Sequence, residues 1–87
     1  MKRIRYAIGN TYLTPCEAEY VGLIVQGYSH PQISEKLGKE VKTVDTTRDN
    51  VFGKLGIDNR VDLVLLAIQA GCRKDGNHDL KEFTGKD

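Results

Sequence analysis

Between residues 13 and 71 apolar positions recur three and four apart in four runs, and each run ends at a glycine. Thr14-Pro15-Cys16-Glu17 has the spacing of a capping box, with proline at the first helical position, where its missing N–H costs nothing. A helix is predicted to start there, carried by Val21, Leu23, Ile24 and Val25 to Gln26 and stopped by Gly27 in a left-handed conformation. Ser29 to Gln32 repeats the box, and Ile33 and Leu37 define one buried stripe of a two-turn helix before Gly38. A third helix spans Val41 to Leu55, with Val41, Val44, Val51 and Leu55 on one face and Gly56 as its stop. Arg48 falls on that stripe too, so it is expected at the margin with its guanidinium reaching out. Asn59, with Asp62 three residues on, caps a fourth helix that runs through Leu63, Leu66 and Ala67 to Ala70 and closes at Gly71.

Short turns and no alternating strand pattern between these runs predict an all-α domain of four helices over residues 13–71. Residues 1–12 form a basic N-terminal arm in which Ile4, Tyr6 and Ile8 alternate, the pattern of either an extended arm packed on the domain or a ragged end. Residues 72–87 hold only Leu80 and Phe83 as large apolar side chains and are expected to be a mobile polar tail, so both termini are read as flexible.

Composition narrows the function. The longest apolar stretch, Val61 to Ala70, is broken by Asp62 and Gln69 and is well short of the roughly 20 residues of a membrane span. No apolar run of the signal-peptide kind opens the chain, so it is expected in the cytoplasm and away from membranes. Cys16 and Cys72 are read as free thiols, and no Cys-x-x-Cys or paired-histidine spacing offers a metal cage, so no cofactor is expected. Besides hydroxyls, only Cys16, His30 and His78 are of the usual nucleophile and base types, and the glycines sit at helix ends rather than in a phosphate loop. The chain is therefore not expected to be an enzyme or to take a small-molecule substrate.

A short helix, a turn at Gly38 and a longer helix make a helix-turn-helix arrangement, whose second helix offers its outer face to the DNA major groove. Leu13-Thr14-Pro15 with Glu17, Gln26-Gly27-Tyr28-Ser29, Ile33, Leu37-Gly38, Lys42-Thr43-Val44, Lys54-Leu55-Gly56 and Asn59-Arg60 together resemble the LuxR/GerE-type (NarL/FixJ-type) helix-turn-helix domain. The likeness runs without a gap from Leu13 to Gly71. It implies a free-standing transcription-factor domain, lacking the receiver or ligand-binding domain that often precedes it. It also implies that the third helix reads double-stranded DNA and the fourth contributes a dimer contact. Carried over by position, the DNA-facing residues are Lys42, Thr43, Asp45, Thr46, Thr47, Arg48 and Asp49.

Here the chain departs from that family's pattern. Asp45 and Asp49 stand where basic residues are frequent, Thr47 where histidine is common, and Glu40 where a serine or threonine would cap the helix. Lys42, Asp45, Thr46 and Asp49 share one stripe of net charge −1, and residues 13–71 carry six basic against eight acidic side chains. One aspartate can accept a hydrogen bond from cytosine N4, but two oppose the phosphate attraction behind most DNA affinity. Two readings follow: a DNA-binding regulator, or an antiactivator or heterodimer subunit that binds another regulator and has lost its DNA contact. The fourth helix serves both, since it is apolar nearly all round. Leu63 and Ala67 look inward by resemblance, which leaves Val61, Val64, Leu65 and Ile68 for a homodimer or heterodimer interface unless the arm or tail covers them.

Overall fold

A computed structural model describes residues 2–86. Each cap read in the sequence forms. The Glu17 N–H donates to Thr14 Oγ1 at 3.2 Å and the Thr14 N–H to Glu17 Oε1 at 2.9 Å, which starts α1 (Pro15–Val25). Ser29 and Gln32 repeat the exchange ahead of α2 (His30–Leu37), which ends at Gly38 with φ +65°. In α3 (Val41–Leu55) the N-cap Glu40 makes no side-chain cap bond. Asn59 accepts the Asp62 N–H at 2.8 Å and starts α4 (Arg60–Ala70).

The helices close on α1. Its Tyr20, Val21 and Ile24 are buried against Ile33 of α2, Val44 and Val51 of α3, and Leu63 and Ala67 of α4. Each of these valine, leucine and isoleucine side chains contributes about 1.5–3 kcal/mol by leaving water. Val41, expected on the buried stripe of α3, is 41% exposed, because it opens the first turn ahead of the stripe that begins at Val44.

The N-terminal segment takes the extended, packed one of its two readings, and the C-terminal segment departs from the mobile tail expected of it. Strands β1 (Lys2–Ile8), β2 (Thr11–Leu13) and β3 (Glu82–Lys86) form an antiparallel sheet in the order β2-β1-β3. Gly9, at φ +57°, takes the first place of the two-residue turn Gly9-Asn10 that joins β1 to β2. A II′ hairpin turn reserves that place for glycine. The four helices are as expected, but the domain gains a small sheet, and the described part of the expected tail, residues 72–86, runs back to that sheet and ends in β3 rather than staying mobile. Cys72 and Leu80 are buried at the two ends of the connecting loop, and the Ala7 N–H reaches the Lys81 carbonyl at 2.8 Å to begin the pairing. Two anchors that cannot build a core of their own suffice to complete one begun by Ile8 and Leu13.

Candidate nucleic-acid interface

The Gly38 turn sets α3 across α2, and the Ser34 hydroxyl donates to the Lys39 carbonyl while the Lys39 N–H returns a bond to the Ser34 carbonyl at 3.0 Å. With Val44 and Val51 facing the core, Lys42, Thr43, Thr46 and Asp49 are exposed, and Asp45, Thr47 and Arg48 are half-buried. Arg48 thus takes the marginal place expected of it. The hydroxyls of Thr46 and Thr47 donate to the carbonyls of Lys42 and Thr43, at 3.1 and 3.0 Å. Their protons are committed to the helix, so each oxygen faces outward as an acceptor.

The two aspartates that set this chain apart are both engaged. Asp45 Oδ1 lies 2.6 Å from His30 Nδ1, and His30 Nε2 lies 2.8 Å from the Tyr20 hydroxyl. Burial pushes the Tyr20 hydroxyl up from the ordinary value near 10 to about 12, so it keeps its proton and donates. With the ring proton on Nδ1, Tyr20 donates to Nε2 and Nδ1 donates to Asp45, and every partner is matched. This chain of hydrogen bonds ties α1, α2 and α3 together and draws one oxygen of Asp45 back from the open stripe. Asp49 instead accepts from Nε and Nη2 of Arg48 at 3.2 and 3.0 Å, on the exposed side. Counting Arg48, positions 42–49 of α3 carry two cations, Lys42 and Arg48, and two anions, Asp45 and Asp49.

At the far end of α3, Lys54 Nζ lies 2.6 Å from Glu17 Oε1, so the carboxylate that caps α1 also holds the last turn of α3. On α4, Leu63 and Ala67 face the core, while Val61, Leu65 and Ile68 stand 67%, 55% and 44% exposed and Val64 is half-buried. Spaced four and three apart, these last residues share one face. Neither the β1 arm nor Leu80 and Phe83 covers it. Leu80 goes into the core, and Phe83 lies on the sheet, edge-on to Tyr12 at 5.3 Å.

Sequence reasoning missed the His30–Asp45 contact, since fifteen residues separate the partners and His30 reads as a surface residue of a first helical turn. The signal on offer was an acidic residue at a site usually basic. Cys16 and Cys72 are free, and the Lys39 ammonium donates to Cys16 Sγ at 3.0 Å. Among the described residues no helix is long and apolar enough to cross a membrane, and no group of three metal-ligating side chains converges.

Comparison with known proteins places this geometry. Residues 11–67 match the family described as bacterial regulatory proteins, luxR family. The transcriptional regulatory protein MctR of Rhizobium johnstonii is 41% identical over 63 residues, 72% of this chain and 29% of MctR. The oxygen regulatory protein NreC of Staphylococcus aureus is 37% identical over 57 residues, 66% of this chain and 26% of its own length. The chain thus spans less than a third of these relatives. The DNA-binding domain of the Erwinia amylovora RcsB protein superposes with a TM-score of 0.60 at 32% identity, over 64% of each chain. The phage VqmA–DPO complex shares the fold, with a TM-score of 0.59 at 14% identity over 99% of this chain and 63% of that one. With its helix-turn-helix formed by α2 and α3 and more than half its length matched, the chain belongs to the luxR family of bacterial regulatory proteins.

Proposed function

We propose that this chain contacts duplex DNA for a transcriptional regulator, laying α3 in the major groove and pairing with a second copy through α4. The observation that carries the reading is the state of the α3 surface: Lys42, Thr43 and Thr46 are exposed and free to meet base edges, while Asp45 and Asp49 are each held by a donor within the protein. In this reading Lys42 donates to guanine acceptors and Thr43 and Thr46 contact neighbouring bases. Thr47 and Arg48, at the margin, face the phosphates, and Asp45 positions α3 through His30. Pairing along Val61, Val64, Leu65 and Ile68 sets the distance between two recognition helices. Enrichment of duplexes from a random pool tests the reading. The wild-type chain is expected to enrich a two-fold symmetric sequence, and Lys42→Ala with Thr46→Ala to lose that preference while melting at the same temperature. A wild-type pool that stays random contradicts it.

The net charge of −2 over residues 13–71 and the two acids of α3 favour a second reading, in which the α4 face pairs with another regulator and withholds it from DNA. The isosteric pair Asp45→Asn and Asp49→Asn separates the two. If the carboxylates are what keeps DNA away, the variant binds duplex DNA and the wild type does not. If the first reading holds, the wild type already binds.

A further inference from the structure

One side of β3 pairs with β1, and among the described residues no strand pairs with the other. The Ala7 N–H donates to the Lys81 carbonyl at 2.8 Å, and the register continues through Arg5↔Phe83 and Arg3↔Gly85. Backbone groups alternate sides along an antiparallel strand, so residues 81, 83 and 85 turn theirs toward β1. Glu82, Thr84 and Lys86 therefore turn their N–H and C=O groups to the free edge. Such a row of donors and acceptors is a template for another strand.

That edge is complementary to itself. Laid antiparallel on a second copy about Thr84, Glu82-Phe83-Thr84-Gly85-Lys86 places a glutamate position opposite a lysine position at both ends. It also places Phe83 opposite Gly85, where an aromatic ring covers a glycine well, and threonine opposite threonine. The register is in phase with the hydrogen bonds as well, because the outward-turned residues 82, 84 and 86 are the ones it sets against one another. Sliding by one residue puts the two edges out of phase, and sliding by two loses both charge pairs. Parallel pairing sets glutamate on glutamate and lysine on lysine.

We propose that β3 is a homotypic docking edge, through which a second copy of this chain adds its own β3 antiparallel about Thr84 to make one six-stranded sheet. Five residues of edge bury far less than the roughly 1,200 Å² at the low end of stable interfaces. The contact is therefore weak alone and joins copies from different α4 pairs, so this use of it rests on the pairing proposed above. It lies apart from the α4 face, so the two together extend a pair into a larger assembly. Thr84→Cys in a Cys16→Ser background, treated with a short bismaleimide, captures such a contact. Crosslinked dimer is expected about tenfold faster than from Asn10→Cys on the exposed hairpin turn, given the high effective concentration of paired edges. Adding Glu82→Lys sets like charges opposite and suppresses it, adding Glu82→Lys together with Lys86→Glu restores it, and adding Leu65→Glu on α4 leaves residual crosslinking that still follows this charge pattern. Equal rates at positions 84 and 10, indifference to Glu82→Lys, or a charge swap that fails to restore crosslinking overturns the proposal.

Discussion

Glu17 is the one charged residue buried among the described side chains, and it is matched twice, by the Thr14 N–H and by Lys54. Lys54→Met keeps the apolar stem and removes the ammonium, leaving a buried carboxylate with one partner fewer. A loss of about 1.5–3 kcal/mol in urea unfolding is expected, the range for a hydrogen bond to a charged group. Tyr20 offers a second check. Its pKa rises on folding from 10 to about 12, so the native state holds the proton more tightly. The stabilisation linked to that proton is complete below pH 10 and drains away as pH climbs toward 12. In an absorbance titration one tyrosine is expected to ionise near pH 12, and Tyr20→Phe to remove that step. The Tyr20–His30–Asp45 chain also shows why the charge that α3 presents depends on its neighbours as well as on its sequence. A carboxylate counts differently once a neighbouring helix supplies its donor.

At the scale of elements, local chemistry determined most of the outcome. Capping boxes at Thr14 and Ser29, the asparagine cap at Asn59 and the glycine stops all act within four residues, so the four helices were legible in the sequence. Thr14→Ala removes the donor-matching oxygen at the start of α1 and is expected to cost about 1 kcal/mol, seen as a lowered melting temperature. The sheet was legible only in part. Alternation at Ile4, Tyr6 and Ile8 and the Gly9-Asn10 dipeptide together signal a hairpin. The partner of β1 on its other side lies at the opposite end of the chain, and a sparse polar segment announces no strand until Cys72 and Leu80 fix it in place. Of the candidate site, helical spacing put Lys42, Asp45, Thr46 and Asp49 on one open stripe; Lys42, Thr46 and Asp49 are exposed there, whereas Asp45 is half-buried because α2 brings His30 against it.

For the whole molecule the open quantities are association and DNA affinity. The α4 face exposes Val61, Leu65 and Ile68 together, an arrangement that burial against a partner stabilises. Leu65→Glu with Ile68→Glu is expected to keep the fold and shift sedimentation toward monomer, and a wild type that is already monomeric at high micromolar concentration removes the homodimer. DNA contact by α3 is tested most directly by titrating a labelled duplex at about 50 and about 200 mM salt, where each neutralised phosphate contributes about −0.9 to the slope of log affinity against log salt. Binding is expected to weaken steeply over that range, and the slope of an Arg48→Gln variant to be shallower by about 1. No binding at the lower salt, or an affinity that ignores salt and Arg48 alike, would contradict it.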